Sequence, residues 1–502
     1  MTAAFGRRRF LKAAAGLALL PGPAIARSGR PLITHGVQSG DVGLGQALLW
    51  SRSDRAAQFL VEWATTESFR DSKLVIGPAA LAESDFTARL KLGGLPAGQR
   101  IFYRASFRDL GDSSAISEPV VGSFASAPSE KRDLSFLWSA DTAGQGWGIN
   151  EEWGGMRTYE TMRGLAPDFF VHCGDTVYAD GPLKPEVPLP DGTFWRNLVT
   201  PEKTKVAETL DAFRGNHRYN LLDRNVLAFN AAVPTVALWS DHEVLDNWYP
   251  AERLAAEAPY AEKQVARLAA RGRQAFLEYL PIAGDSIQRR IAYGPHLDLF
   301  VVDTRSLRGP NDAPLLAEDA FFGQTQLHWL LERLKASRAT WKVIAADQPI
   351  GLLVRDGETG WDGLANGDGP PRGREREMAR LLQGLRDARV GNVVWLCGDV
   401  HYTAAHYYDP AKARFPDFAP FWEFVSGPLN AGTFGSSTLD DTFGPQVVFA
   451  KTPPQGQWNL PPSAGLQFFG QVRIEGTSGV MTVTLRDLSG AALWSTELVP
   501  ER

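Results

Sequence analysis

The pattern of apolar and polar positions divides the chain near residue 128. Before that point, short segments that alternate or run apolar are separated by turns, as is typical of closely spaced β-strands. The clearest of these segments are residues 47–52, 59–63, 88–92 and 101–104. This spacing predicts that residues 30–127 form a β-sandwich domain, and the polar segment 127–132 is expected to be a linker.

From residue 133 to residue 502 the pattern is different. Continuous apolar runs alternate with helical stretches such as residues 251–280 and 324–336. The apolar runs are residues 134–138, 169–171, 233–239, 297–302, 343–346 and 393–396. Apolar strands alternating with helices predict an α/β domain whose sheet is buried on both faces. Residues 470–498 return to β alternation and are expected to add closing strands to this domain.

Acids and histidines follow four of these strands. They are Asp141; Asp175 with Tyr178; Asp241, His242 and Glu243 with Asn247 soon after; and Asp399 with His401. A single Gly-Asp after a strand is common as a turn or a helix cap, so each motif alone is a weak signal. Four motifs in this order predict one shared site at the strand ends, where α/β layers place their sites.

The number of carboxylates in these motifs indicates a metal centre. Carboxylates that converge in a dry crevice repel one another, and their pKa values rise unless a cation neutralises them. Oxygen ligands with a tyrosine and one or two imidazoles suit hard or borderline metal ions. Two such ions can bind a phosphate group, activate water and stabilise the leaving oxygen. The motifs therefore predict a metal centre that can act on a phosphate group.

Composition and length agree with a multidomain globular protein. The chain has 502 residues, of which 44% are hydrophobic and 22% charged, so at least two domains are expected. Tryptophan is abundant, with 15 residues, and packing accounts for most tryptophans in a chain of this size.

The first 26 residues have the features of an export signal. Arg7, Arg8 and Arg9 precede Phe-Leu-Lys, a short apolar stretch follows, and small residues at 24–26 offer a cleavage site. The paired arginines resemble a twin-arginine signal, which export machinery reads on proteins that fold before crossing the membrane. We therefore expect a periplasmic or secreted protein whose partners include the twin-arginine export machinery.

The net charge of the chain after the leader indicates which binding partners are disfavoured. Removing residues 1–26 takes away four of the 52 basic residues and leaves 48 against 57 acidic ones, a net charge of −9. A net negative charge argues against nucleic acid or an anionic membrane as an electrostatic partner. No segment after the leader has the length and apolar character of a transmembrane helix.

The two cysteines, Cys173 and Cys397, each lie two residues before an aspartate of the site motifs. A disulfide-built scaffold is excluded by so small a number. Two buried core thiols are the favoured interpretation. A disulfide between neighbouring strands and a role as metal ligands are the alternatives.

The order Asp, Gly-Asp-x-x-Tyr, Asp-His-Glu and Gly-Asp-x-His resembles the calcineurin-like metallophosphoesterases, and specifically the PhoD-like alkaline phosphatases. Further matching stretches are residues 302–305, 323–330 and 424–428. The resemblance covers nearly the whole chain after the leader. It implies a fibronectin type III or immunoglobulin-like β-sandwich followed by a four-layer α/β/β/α phosphatase domain with two packed sheets.

The resemblance also implies roles for individual residues. The first metal would be held by Asp141, Asp175, Tyr178 and His401, with Asp175 bridging to a second metal, and the tyrosine ligand favours ferric iron. The second site would consist of Asp241, Asp399 and Asp347, which replace the asparagine and histidines of related binuclear phosphatases. That substitution makes the second site nearly all oxygen and shifts its preference toward calcium. His242 would donate a proton or stabilise the transition state.

One position departs from the family pattern. PhoD-like enzymes with an iron–calcium centre often carry Ser-Cys-Gln after the first strand, with the cysteine near iron. This chain has Ser139, Ala140 and Asp141 there. The hydrolase interpretation survives, and the identity of the metals stays open.

Other polar residues have two interpretations each. Arg305 is a candidate phosphate contact or a structural partner of Asp303, and Asn247 is a similar candidate. His406 and His172 are favoured as buried structural histidines. The charges of residues 251–280 are spread around the predicted helix, which favours a solvated face or a lid.

The functional hypothesis is therefore an exported phosphomonoesterase or phosphodiesterase that attacks phosphorus with metal-activated hydroxide. A dedicated phospholipase D-like or polymer phosphodiesterase is the alternative among enzymes. A binding protein with an inert phosphatase body is the alternative from another class, and the complete set of acids and histidines counts against it.

Overall fold

The computed structural model of the protein describes residues 29–316 and 319–501. The predicted leader, residues 1–26, lies outside the described residues. The amino-terminal strands are β1 (Ile33–Gly43), β2 (Gln46–Ser53), β3 (Ala57–Ala64), β4 (Lys73–Ala80), β5 (Thr87–Gly93), β6 (Arg100–Asp109) and β7 (Val120–Ala125).

The remaining part of the chain alternates strands with helices. The strands are β8 (Leu134–Ser139), β9 (Phe169–Cys173), β10 (Glu186–Pro188), β11 (Phe194–Arg196), β12 (Thr235–Leu238), β13 (Arg289–Ala292), β14 (Leu297–Val301), β15 (Trp341–Ala345), β16 (Arg355–Asp356), β17 (Gly360–Trp361), β18 (Val393–Cys397), β19 (Thr403–Tyr408), β20 (Phe421–Val425), β21 (Pro445–Lys451), β22 (Phe468–Ile474), β23 (Met481–Asp487) and β24 (Ala492–Leu498). The helices are α1 (Arg157–Gly164), α2 (Leu210–Asn220), α3 (Arg224–Ala232), α4 (Val265–Tyr279), α5 (Gln324–Ala336) and α6 (Glu375–Asp387).

Two large sheets carry the site. One has nine strands in the order β24-β23-β22-β8-β9-β12-β1-β2-β5, and the other has seven in the order β13-β14-β15-β18-β20-β19-β21. In the first sheet β8, β9 and β12 are parallel, and in the second β14, β15, β18 and β20 are parallel. The closing strands β22 to β24 extend the first sheet, as expected from the alternation in residues 470–498.

Alternation along the strands shows how the sheets pack. In β8, Phe136 and Trp138 belong to the core between the sheets, whereas Leu137 packs with the helix side that includes α1 and α3. In β14, Leu299 faces the same central core and Phe300 packs with α5 and α6. Because side chains alternate between the two faces of a strand, this division produces helix, sheet, sheet and helix layers. The predicted four-layer α/β/β/α architecture is confirmed.

The amino-terminal strands form a β-sandwich that is continuous with the α/β part of the chain, because β1, β2 and β5 belong to the nine-stranded sheet. The four-stranded sheet β4-β3-β6-β7 packs on β1, β2 and β5, and Phe59 and Phe107 stack in its core with ring centroids 5.0 Å apart. The strand β1 also pairs with β12 through Gly40 and Thr235. A Cβ atom at Gly40 would lie 2.4 Å from the carbonyl oxygen of Thr235, so this close approach requires glycine.

The helix predicted over residues 251–280 is shorter than expected. The structure has α4 only from Val265, and residues 251–264 form a loop closed by hydrogen bonds from the Leu254 amide to the Lys263 carbonyl and from the Val265 amide to the Glu252 carbonyl. Pro259 lies in this loop, where its missing N–H and fixed φ disfavour a helix. The helix itself is no solvated lid, because Leu268, Phe276 and their neighbours are buried.

Among the described residues, none of the helices combines the length and apolar character needed to cross a membrane.

The parallel strands of both sheets direct their carboxyl ends to one edge of the layers, where the site residues lie.

Candidate metal centre and active site

Five aspartates meet where the two sheets end. Asp141, Asp175 and Asp241 follow the adjacent parallel strands β8, β9 and β12, and Asp347 and Asp399 follow the adjacent strands β15 and β18. The Oγ atom of Ser240 joins the two sets, because it lies 3.1 Å from Asp241 Oδ1, 3.1 Å from Asp347 Oδ2 and 3.3 Å from Asp399 Oδ1. The structure thus brings together the four motifs that the sequence predicted to share a site.

Several of these residues have an unusual backbone. Asp141, Asp175, Asn247, Asp399 and His401 have φ values of 62°, 51°, 57°, 71° and 60°. The left-handed region is uncommon for residues other than glycine, and such conformations cluster at active sites where surrounding structure holds them. Four of these residues, Asp141, Asp175, Asp399 and His401, lie in the turns that directly follow β8, β9 and β18.

One compact group of ligand atoms involves Asp141, Asp175 and His401. Each offers one atom, and these atoms all lie within 4.8 Å of one another. The distance from His401 Nε2 to Asp141 Oδ1 is 3.8 Å, and the hydroxyl of Tyr178 lies 2.9 Å from the same nitrogen. Tyr178 is therefore a fourth potential ligand.

Three of the four carboxylate oxygens of Asp141 and Asp175 lack hydrogen-bond partners although they are buried, and the fourth, Asp175 Oδ1, accepts from the amide of His242. Both side-chain oxygens of Asp141 and Oδ2 of Asp175 have no hydrogen bond, and both residues are no more than 1% exposed. Burial raises the pKa of Asp141 to about 8 and that of Asp175 well above its usual range. Unpaired buried carboxylates are costly, and a bound cation removes that cost. The donor set of Asp141, Asp175, Tyr178 and His401 therefore fits a metal ion.

The orientation of His401 supports the same conclusion. Its Nδ1 atom donates to the carbonyl oxygen of Gly432, which leaves the lone pair of Nε2 directed at Tyr178 and Asp141. Burial lowers the pKa of His401 to about 4, so the ring is neutral at pH 7. A neutral imidazole whose far nitrogen is bonded to a carbonyl is the usual form of a histidine metal ligand.

A second group of ligand atoms shares Asp175 and adds Asp241 and His242. Asp241 Oδ2 accepts a hydrogen bond of 2.8 Å from the amide of Asn247. Among the described residues, only these two groups bring at least three ligand atoms of acids, histidines or cysteines within 4.8 Å of one another. Asp175 thus lies where it can bridge two positions.

His242 is bound on its other side by Asp180, a residue that sequence reasoning missed. Nδ1 of His242 lies 2.9 Å from both carboxylate oxygens of Asp180, and the ring stacks on Tyr178 at a centroid distance of 4.3 Å. Burial would lower the pKa of His242, but the charges of Asp180, Asp241 and Asp175 outweigh it and raise the pKa well above its ordinary range. The position of Asp180, two residues after Tyr178, is the only sequence signal that could have identified it.

Glu243 connects the two turns that follow β9 and β12. Its carboxylate accepts hydrogen bonds from the amides of Asp175, Thr176 and Ser240 and from the hydroxyl of Thr176. These bonds connect the turn after β9 to the turn after β12. Glu243 therefore holds Asp175 and Asp241 in register, although it offers no free oxygen to the site.

Asp347 and Asp399 lie next to Arg305, whereas the sequence predicted that they would bind a second metal ion. Arg305 Nε donates to Asp347 Oδ2 at 3.1 Å, and Nη2 of the same guanidinium lies 3.7 Å from Asp399 Oδ1 and 3.6 Å from Asp241 Oδ1. Asp362 binds both Nη1 and Nη2, at 2.7 and 3.0 Å.

This environment changes the interpretation of Arg305. The side chain is 0% exposed and its guanidinium is engaged by buried carboxylates, so it is not placed to contact a phosphate ester from solvent. It does not pair with Asp303 through its side chain either, since only the Arg305 amide donates to Asp303. Asn247 differs, because it is partly exposed and fixed beside Asp241 by its backbone.

The remaining candidates have structural roles. Cys173 and Cys397 are free and buried, so the core-thiol interpretation is confirmed. Burial raises the pKa of both thiols well above its usual range. His406 is buried and bonded to Glu423 at 2.9 Å, and His172 is buried against the hydroxyl of Thr142, at 2.7 Å.

Comparisons with known proteins agree with this geometry. The chain is 27% identical over 489 residues to alkaline phosphatase D of Bacillus subtilis (strain 168), covering 87% of this chain and 78% of that protein. The solved structure of PhoD matches with a TM-score of 0.68 at 20% identity, covering 94% of this chain and 90% of that one. Purple acid phosphatase PPD1 from yellow lupin (Lupinus luteus) seeds matches with a TM-score of 0.56 at 13% identity, covering 94% and 74%.

Family models give the assignment. The model of the PhoD-like phosphatase N-terminal domain matches residues 20–128, and that of the PhoD-like phosphatase matches residues 136–485. The second match contains every strand end that supplies a site acid. The chain therefore belongs to the PhoD-like phosphatase family.

Proposed function

We propose that this metal-dependent phosphoesterase is exported and hydrolyses phosphate monoesters and diesters at the group formed by Asp141, Asp175, Tyr178 and His401. The observation that carries the proposal is the set of buried, unpaired oxygens of Asp141 and Asp175 beside Tyr178 and His401. A metal ion held there would supply a Lewis acid for water activation and for the charge of a phosphate group. A phenolate ligand favours ferric iron at this position.

The chain's own residues would provide proton transfer and orientation. Because Nδ1 of His242 is directed at Asp180, the second proton of the ring sits at Nε2, on the side away from that carboxylate. A protonated His242 can donate this proton to the leaving oxygen of an ester. Asn247, fixed at the rim by its bond to Asp241, is positioned to orient the substrate.

The substrate class rests on the family and on one named relative. The Bacillus relative is named alkaline phosphatase D, which supports phosphate esters as substrates. A dedicated phosphodiesterase acting on lipid or polymer phosphodiesters is the second candidate. An inert binding protein is disfavoured, because Asp175, His242 and His401 are all present and converge.

Export is proposed from the leader in residues 1–26. The twin arginines and the small residues at 24–26 support passage through the twin-arginine machinery to the periplasm or the medium. Folding before export would allow the metal to be acquired inside the cell.

The test uses purified chain without its leader. Metal content is measured by elemental analysis, and hydrolysis is measured on chromogenic phosphate monoesters and diesters. Asp175→Asn should lose bound metal and turnover together, and Asp71→Asn, at an exposed turn before β4, serves as the matched control. Absence of both metal and hydrolysis in the unmodified protein would refute the proposal. If Asp175→Asn kept its full metal content but lost turnover, Asp175 would be a substrate contact instead.

A further inference from the structure

Arg305 lies at the place where an all-oxygen second metal site was expected. Its Nε atom binds Asp347, and Nη2 lies between Asp241 and Asp399, at 3.6 and 3.7 Å. The three aspartates expected to surround a calcium ion therefore surround a guanidinium.

The guanidinium cannot easily move away from this place. Asp362 accepts hydrogen bonds from both Nη1 and Nη2 of Arg305. Asp362 also accepts hydrogen bonds from Arg308 and Gln348. Arg305 and Asp347 are both 0% exposed. Since a guanidinium has five N–H donors in a fixed plane, contacts on Nε and both Nη atoms fix the orientation of the whole group.

Asp347 has no oxygen left for a metal ion. Its Oδ1 atom accepts from the Thr304 hydroxyl and the Gln348 amide, and Oδ2 accepts from Arg305 and lies 3.1 Å from Ser240 Oγ. By contrast, both oxygens of Asp141 are unpaired. Calcium takes six to eight oxygen ligands. Neither group of closely spaced ligand atoms in the described part of the chain includes Asp347 or Asp399.

We infer that Arg305 supplies the permanent positive charge of the second position, and that Asp347 and Asp399 are its partners rather than metal ligands. A cation close to a guanidinium is repelled by it, so the four carboxylates around Arg305 do not form a calcium site. Metal binding is then confined to the group that contains Asp141, Asp175 and His401. Asp241 faces Arg305, and both ring nitrogens of His242 carry protons in the proposed proton donor. This inference rests on the proposed function only in assuming that the first group holds a metal.

Calcium binding to the purified chain tests this inference. Equilibrium dialysis and calorimetry with CaCl2 alone are applied to the unmodified protein, to Arg305→Met and to Asp399→Asn. The unmodified protein should retain no calcium that depends on Asp399, so Asp399→Asn should leave the total metal content per chain unchanged. Arg305→Met removes the charge but keeps a long side chain. It should acquire a site for about one calcium ion, and ~1 mM CaCl2 should raise its melting temperature but not that of the unmodified protein.

Loss of one calcium ion per chain in Asp399→Asn would overturn the inference. If Arg305→Met does not fold, Asp399→Asn and Asp347→Asn decide the matter through metal content alone. Phosphoesterase activity is measured separately on the unmodified protein, so a failure of the proposed function would show as missing hydrolysis, whatever the calcium content.

Discussion

Both carboxylate oxygens of Asp180 lie 2.9 Å from Nδ1 of His242. This contact fixes the ring, assigns one proton to Nδ1 and adds negative charge beside the imidazole. Together with Asp241 and Asp175 it raises the pKa of His242 against the effect of burial. Asp180 is thus a positioning residue for the proposed proton donor.

The contact leads to a prediction for the pH dependence of Asp180→Asn. A group that donates a proton loses activity as the pH rises through its pKa, and removing Asp180 lowers the pKa of His242. The alkaline limb of the kcat/KM profile should therefore move to lower pH, with bound metal retained. Profiles of the variant and of the exposed-site control Asp191→Asn decide the question. An unshifted alkaline limb in a folded, metallated variant would remove Asp180 from this role.

Substitution of His242 should separate proton transfer from metal binding. We expect His242→Ala to keep the metal held by Asp141, Asp175 and His401, because His242 is outside that group. Its turnover should fall by roughly a hundredfold or more, as is typical when a positioned acid is lost. The measurements are kcat and elemental analysis, with His328→Ala on the exposed face of α5 as the control. Unchanged turnover would exclude His242 as the proton donor.

Glu243 should contribute to stability rather than to chemistry. Its carboxylate accepts hydrogen bonds from Asp175, Thr176 and Ser240, and Glu243→Gln replaces one acceptor oxygen with a donor amide. Leaving such buried partners unmatched costs about 1–3 kcal/mol. The melting temperature of the variant should drop, as measured by calorimetry, and Glu257→Gln on the surface should not change it. A variant as stable as the unmodified chain would show that this connection between the turns is dispensable.

Export can be tested in the leader. Replacing both Arg7 and Arg8 by lysine should leave the precursor inside the cell, because the paired arginines are read by the export receptor. Arg9→Lys makes the same charge-conserving exchange at the neighbouring position and should be exported normally. Fractionation and immunoblotting compare the two. Export of the doubly substituted protein would refute the twin-arginine route.

Local patterns in the sequence were sufficient for the strands and for the acids that follow them. Strands such as β8, β9 and β18 are continuous apolar runs, and the polar residue that ends each run stands next to it in the chain. Period and composition therefore located Asp141, Asp175 and Asp399. The helix predicted over residues 251–280 was too long at its amino-terminal end. The hydrophobic spacing runs through Pro259, but the backbone forms a loop there and the helix begins only at Val265.

Contacts between distant segments were decided by the tertiary structure. Asp180 meets His242 across 62 residues, and β1 reaches β12 through a single pair of residues, Gly40 and Thr235. No local sequence pattern predicts either contact, because each depends on how loops and sheets pack once the strands have formed.

The sequence by itself determined that four strands end in acids and histidines, because that is a local property of apolar runs and their boundaries. It also determined the family to which these motifs are similar. Only the tertiary structure decided which carboxylates are free for a metal and which are neutralised by Arg305. The reason is that Asp141, Asp347 and Asp399 look alike in sequence, and their charge partners come from separate sheets and loops that meet only in the folded chain.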